Sequence, residues 1–218
     1  MTDMCERPLI IGLCGRSGAG KGCVSEIFRE LGIPSVDTDA VYRELTAPCE
    51  SRERLSPCMR ELAQLFGEEI IAKDNSLDRR AVAVAVFAED GKDKLRQLNA
   101  VTHKHILRRT DELIGHYARN GAFAVAVDAP LLFESGYDKK CDVTVAVTAP
   151  HEVLKARIMR RDGISEEMAQ RRLASQKSDG ELEDLADLVI VNDGSLEERR
   201  EKVRDAISYA LEKGKKKK

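Results

Sequence analysis

Short apolar runs punctuate the chain at Leu9 to Leu13, Ile33 to Val36, Phe123 to Val127, Val143 to Val147 and Leu188 to Val191. They do not alternate apolar with polar, as a half-exposed strand would. They read as parallel strands buried on both faces. Helical patterns separate them. After Lys21, the residues Val24, Ile27, Phe28 and Leu31 recur at i, i+3, i+4 and i+7, one face of a helix that Gly32 and Pro34 then end. The last segment opens with Ser195-Leu196-Glu197-Glu198, a capping box, and carries an apolar stripe at Leu196, Val203, Ile207 and Leu211. Strands alternating with helices predict an α/β fold, a doubly wound five-stranded parallel sheet flanked by helices.

The interval from Tyr42 to Arg119 departs from that alternation. The spacing in RELAQLFGEEII, DRRAVAVAVF and DKLRQLNAVTHKHILRRTDELIGHY is helical throughout. It predicts a helical insertion between the second and third strands, with no internal repeat and no linker.

Composition narrows the class. At 218 residues, 42% apolar and 34% charged, the chain fits an ordinary soluble globular protein with one substantial core, or a core with small excursions. No stretch approaches a membrane span, and the MTDMCERP start has no signal-peptide pattern. A cytoplasmic protein is expected. The formal charge is 36 − 38 = −2, but five lysines (Lys213 and Lys215 to Lys218) crowd the end, so the rest sums to −2 − 5 = −7. An acidic body argues against a nucleic-acid binder, and GKKKK reads as a frayed, solvated terminus. No obligate protein partner is evident.

Cys5, Cys14, Cys23, Cys49, Cys58 and Cys141 form no CxxC. They are expected as reduced, packed thiols. Cys23, at a helix start, is the candidate for a lowered pKa. His103 and His105 are two apart and would face different ways on a helix, so no structural metal is expected.

The candidate chemistry begins at Gly15-Arg16-Ser17-Gly18-Ala19-Gly20-Lys21-Gly22, between the first strand and the first helix. Glycines let backbone N–H groups converge on phosphate oxygens, and the helix dipole adds to that field. Lys21 supplies a mobile charge for β- and γ-phosphates. The loop and the adjoining Cys23 are therefore candidate nucleotide ligands. Gly22 stands where a Ser or Thr hydroxyl usually meets Mg²⁺, and neither it nor Cys23 offers a good oxygen to that hard ion.

Ligands of open α/β sheets bind beyond the carboxyl ends of the strands. The second strand ends there in Val36-Asp37-Thr38-Asp39, where a carboxylate can orient an acceptor hydroxyl and take its proton. Asp39 could equally cap the helix AVYREL. The third strand ends in Asp128, which suits a water-mediated Mg²⁺ contact or a turn. The apolar Pro130-Leu131-Leu132-Phe133 beyond it reads as a wall against a ligand. From Val153, VLKARIMRRDGISEEMAQRRLASQ gives two arginine-rich helical stretches hinged at Asp162-Gly163, which suit a lid closing over phosphates or a solvated hairpin.

Taken together, GLCGRSGAGKG, VDTDAVYREL, FGEEII, SLDRRAV, VFAED, LNAVTHKHI, VDAPLLFESG, RRDGISEEMAQRRLASQ and ADLVIVNDGSLEE resemble the dephospho-CoA kinase family, in order and spacing, from Ile10 to about Leu211. The resemblance implies a P-loop NTPase fold with a nucleotide-binding core at 8–41, 120–156 and 177–213. It further implies a helical acceptor (CoA) domain at 42–119 and a lid at 157–176. It implies transfer of the ATP γ-phosphoryl group, with Mg²⁺, to the ribose 3′-hydroxyl of dephospho-CoA. Asp39 matches the family aspartate that acts on that hydroxyl, alongside Lys21 and Arg161 as catalytic candidates. Arg157 and Arg161 match lid arginines near the phosphates, and Asn192 falls in the terminal loop beside the adenine. His103 matches an acceptor-domain histidine, with Lys104 where the family has proline. Asp37 and the 130–133 wall are expected on the acceptor side.

Two departures stand out: Gly22 for the family's Ser or Thr, and Cys14 for a common Thr. They leave open a slow enzyme, an enzyme placing Mg²⁺ through water and Asp128, or a nucleotide- or CoA-ester-binding protein without catalysis. Another small-molecule kinase, acting on a nucleotide or shikimate, is the further alternative.

Overall fold

The computed structural model describes residues 7–86 and 91–216. The chain divides into two compact units, Met1–Asp37 with Ile114–Lys218, and Thr38–Leu113. Phe87 to Asp90 of VFAED, Cys5, and Lys217 and Lys218 lie outside the described residues.

The first unit is built on parallel strands β1 (Leu9–Gly15), β2 (Ser35–Asp37), β3 (Ala124–Asp128), β4 (Val143–Thr148) and β5 (Leu188–Val191), in the order β2-β3-β1-β4-β5. All seven residues of β1 are buried, as its central place requires. The chain adds strands on one side of β1 and then on the other. The loop leaving β1 therefore opens where the sheet changes direction, the usual ligand crevice. In-register pairing sets Asp128 beside Leu13 on one side and Asp37 on the other, so two carboxylates share the carboxyl edge.

Helices α1 (Lys21–Glu30), α6 (His151–Asp162), α7 (Glu166–Ala174), α8 (Asp179–Leu185) and α9 (Leu196–Lys216) flank this sheet. Val24, Ile27 and Phe28 of α1 are buried as the spacing predicts, whereas Leu31 lies past the helix end and is exposed. The α9 capping box forms: Glu198 N–H donates to Ser195 Oγ (3.2 Å) and Ser195 N–H to Glu198 Oε2 (2.6 Å). Its stripe needs correction. Leu196 and Leu211 are exposed, and the residues buried against the core are Val203, Ala206 and Ala210. Small residues here let α9 approach closely. The backbone stays helical to Lys216, further into the lysine run than the frayed end expected there.

The second unit holds α2 (Thr38–Leu45), α3 (Pro57–Phe66), α4 (Arg79–Val86) and most of α5 (Gly91–Arg119). Cys58, Met59, Leu62, Phe66, Ile70 and Val82 form its core. In FGEEII only Phe66 is α-helical. Gly67, at φ 92, ends α3, a 3-10 turn follows at Glu68–Ile70, and Ile71 bridges to Leu77. Asp39 lies within the first turn of α2, not at its cap. Among the described residues no helix is long and apolar enough to cross a membrane.

Candidate active site

Between Arg16 and Gly20 the loop turns its Gly18 and Ala19 carbonyls toward Arg157 and Asn192. Asn192, 2% exposed after β5, donates from Nδ2 to Ala19 O (2.7 Å). Arg157 of α6 donates from Nη1 to Gly18 O (3.2 Å) and from Nη2 to Asn192 O (3.2 Å). A trans peptide places C=O and N–H on opposite sides of one plane. With Ala19 O held by Asn192, the Gly20 N–H points to the side opposite Asn192. The glycines are required by the same contacts. Gly18, at φ 81, would bring a Cβ to 2.7 Å from Leu154 O, and Gly20, at φ 89, would drive one into Asn192 Nδ2.

Gly20 is the N-cap of α1 and offers no side-chain cap. The first N–H groups of a helix have no intrahelical partner, so the start of α1 presents donors and a positive dipole end suited to phosphate. Lys21 Nζ donates to Gly15 O (3.3 Å) and stands 3.9 Å from Asp128 Oδ1. Ser25, one turn on and buried, donates from Oγ to Asp128 Oδ2 (3.2 Å). Sequence reasoning missed Ser25. The signal was a polar residue on the sheet-facing side of α1, between the buried Val24 and Ile27.

Arg16 and Ser17 face another way. Arg16, with its side chain 9% exposed, pairs with Asp179 (3.0 Å) and donates to Leu173 O (2.8 Å). Ser17 N–H donates to Gln176 Oε1 (3.0 Å). The loop is thus tied to the end of α7 and the start of α8. The Arg16 side chain is an anchor there, not a group left open for nucleotide.

The arginine-rich stretches form α6 and α7, with Gly163 left-handed at the hinge (φ 64) and Ser165 capping α7. Lys155 links them by pairing with Glu152 and Glu166 (2.7 Å each). Arg161 is exposed and grips Asp162 with two bonds (2.7 and 2.9 Å). That guanidinium first, then Arg172, holds the Asp162 carboxyl down at about 2. Glu152, Val153, Ala156, Arg157 and Arg160 line a shallow depression of about 430 Å³ on α6.

The Pro130 to Phe133 segment forms a turn after Asp128, and its residues differ. Leu131 is 52% exposed, but Leu132 is fully buried, its methyl carbons where a Cβ on Gly12 would fall. Leu132 is therefore core, which explains an apolar residue there without a ligand. Asp37 is exposed at the end of β2.

In the second unit, Asp39 is exposed on α2 and His103 is half-buried on α5. Lys104, next to it, donates to both oxygens of Glu61 (2.7 and 2.6 Å), which also meets His105 Nε2 (2.7 Å). These bonds, Lys104 first, lower the Glu61 pKa. A groove of about 300 Å³ is lined by Tyr42, Leu77, Arg79, Val82 and Leu98, among others. Burial raises the Tyr42 pKa.

A family model described as dephospho-CoA kinase matches residues 9–198. The chain belongs to the dephospho-CoA kinase family. A dephospho-CoA kinase of Symbiobacterium thermophilum is 37% identical over 197 residues, covering 90% of this chain and 79% of that protein. One from Corynebacterium glutamicum is 34% identical, covering 93% and 98%. The crystal structure of TT1252 from Thermus thermophilus superposes with a TM-score of 0.76 at 34% identity, covering 94% of this chain and 99% of that one. The dephospho-CoA kinase of Campylobacter jejuni shares the fold, with a TM-score of 0.57 at 24% identity. The fold is that of the P-loop kinases, and the readings as a different small-molecule kinase or a non-catalytic binder are not favoured.

The departures from the dephospho-CoA kinase pattern have physical readings. Cys14 is fully buried in β1, and burial pushes its thiol up to about 12, so this exchange alters packing rather than a phosphate contact. Gly22 has open space, with nothing within 4 Å of where a Cβ would stand. Lys104, in place of proline, anchors Glu61. Cys23 is exposed rather than packed. Among the described residues no group of three or more His, Cys, Asp and Glu is placed to hold a metal ion. The carboxylate of Asp128, beside Lys21 and Ser25, still fits Mg²⁺, because that ion is commonly held by one or two carboxylates with water and substrate phosphates.

Proposed function

We propose that this chain transfers the γ-phosphoryl group of ATP to the ribose 3′-hydroxyl of dephospho-CoA, completing coenzyme A. The observation that carries the reading is the loop. Its Gly18 and Ala19 carbonyls are held by Arg157 and Asn192, and Lys21 and the first turn of α1 offer donors suited to phosphate, in a chain of this family. In the reaction a bond forms from the 3′-oxygen to the γ-phosphorus. The bond from that phosphorus to the β,γ-bridging oxygen breaks, and ADP leaves.

Asp39 orients the 3′-hydroxyl and accepts its proton. Lys21 binds the β- and γ-oxygens, where charge accumulates. Arg161, and Arg157 beside the loop, act as the lid arginines. Asp37, His103 and the exposed face of the 130–133 turn contact the acceptor. Asn192 serves by supporting the loop. Mg²⁺, when bound, neutralises charge on the phosphates, and Asp128 would hold it through water. The core at 8–41, 120–156 and 177–213, the acceptor domain at 42–119 and the lid at 157–176 divide these tasks, in a cytoplasmic enzyme without an obligate partner. Gly22 slows turnover without abolishing it, since Asp128 remains.

The test is ADP release from MgATP with and without dephospho-CoA, with mass detection of the 3′-phosphorylated product. Acceptor-dependent turnover is expected, and Asp39→Asn should lower kcat by roughly 10²- to 10⁴-fold, the usual worth of a general base, while ADP still binds. Turnover without acceptor dependence would overturn the reading.

A further inference from the structure

Gly22 removes the hydroxyl that usually stands at the start of the helix, yet α1 carries another hydroxyl three residues later. Residues at i and i+3 share a helix face. Ser25 is 6% exposed and donates to Asp128 Oδ2 at 3.2 Å, across 103 residues of sequence. A serine inside a helix commonly bonds back to its own preceding turn. Ser25 instead reaches the carboxyl edge of the sheet. The other oxygen of the same carboxylate, Oδ1, stands 3.9 Å from Lys21 Nζ. Both oxygens are thus addressed from α1, one by a hydroxyl and one by an ammonium group.

The terminal torsion of an aspartate is broad and roughly two-fold, so the carboxylate plane is not set by its own rotamer. The Ser25 hydroxyl bonded to Oδ2 and the Lys21 charge facing Oδ1 set it. We infer that Ser25 is a positioning residue: it holds the Asp128 carboxylate in the plane from which it receives the nucleotide-bound divalent cation through water. In this chain that orientation carries a larger share of cation binding, because position 22 contributes no oxygen. Groups that orient a metal-binding side chain typically change metal affinity by about 10- to 100-fold when removed. The inference rests on the loop being the MgATP site.

The experiment titrates ADP into the full chain, once in EDTA and once across a MgCl₂ series, by calorimetry. For Ser25→Ala, ADP affinity in EDTA should stay within about twofold, while the Mg²⁺ needed for half-maximal tightening rises roughly tenfold. Ser25→Thr, which keeps the hydroxyl, should behave as the parent, and Ser25→Cys, a weak donor of similar size, as Ser25→Ala. Adding Gly22→Ser to Ser25→Ala should recover the Mg²⁺ dependence, since position 22 is open. Equal loss of ADP binding with and without Mg²⁺ would mean that Ser25 only supports the helix, and the inference fails. Unchanged Mg²⁺ dependence in both Ser25→Ala and Ser25→Cys overturns it as well. Loss of acceptor-dependent turnover in the parent would sink the kinase reading while leaving this titration readable. A failed titration with turnover intact sinks the role of Ser25 alone.

Discussion

From Arg16 to Gly20 the loop is tied to the protein at almost every residue, while Gly22 and Cys23, just beyond, meet very little. Arg16 is paired with Asp179, Ser17 N–H with Gln176, Gly18 O with Arg157, and Ala19 O with Asn192. The space at Gly22 is open, and Cys23 is exposed. The difference teaches where a phosphate loop tolerates change. The tied half fixes the direction in which N–H groups point, so a new atom there collides. The open half meets no protein atom at the Gly22 Cβ position, so a missing side chain there leaves the backbone undisturbed. The exchange of a hydroxyl for Gly22 falls in the open half.

The strongest way to break this comparison is Gly20→Ala. The new Cβ would require a left-handed alanine and would displace a buried amide that is itself pinned by Arg199 (2.9 Å). Strain of about 1–3 kcal/mol predicts a roughly 5- to 150-fold loss of ADP affinity by calorimetry. An alanine accepted without loss would show that the loop is not held from behind.

A smaller effect is expected from Asn192→Ala, which leaves Ala19 O with only the long bond from Arg157 Nη1 (3.5 Å). A poorly satisfied buried carbonyl costs about 1–3 kcal/mol, and a chain of this size loses about 2–4 °C in Tm per kcal/mol. Differential scanning fluorimetry should therefore show a Tm lower by several degrees, with ADP restoring part of it. An unchanged Tm would place the support of the loop elsewhere.

The smallest effect sharpens the contrast without mutation. Burial pushes the thiols of Cys14 and Cys141 up to about 12, so at pH 8 both stay protonated and slow to react. Exposed Cys23 should be alkylated by iodoacetamide well ahead of them in peptide mass mapping, and MgATP should slow it. Equal labelling of Cys14 and Cys23 would contradict the burial of β1.

Local pattern made much of this molecule legible. The apolar runs marked all five strands, but burial on both faces holds only for the inner β1, β3 and β4; at the edge β5 leaves Val189 and Val191 exposed, so its run was apolar without being buried throughout. Their ends drifted by one or two residues, since the last pairs depend on neighbours: β1 runs on to Gly15 because β4 pairs with it there. Gly-rich spacing gave the loop, and Ser195 with Glu198 gave the start of α9, because both are contacts within a few residues. Leu196 and Leu211 misled, because a 3.6-residue stripe does not say how closely the helix approaches the sheet.

The order of residues by itself thus determined the five-stranded α/β core, the phosphate loop and the family. Those depend on short-range stereochemistry and on burial periodicity. Only the tertiary structure decided what each side chain is for. It turned Arg16 toward Asp179, placed Asn192 against Ala19, sank Leu132 into the core and brought Ser25 to Asp128. These pairings join residues more than a hundred positions apart, or depend on which face a helix presents. Sheet register and packing settle them, and no local pattern encodes either.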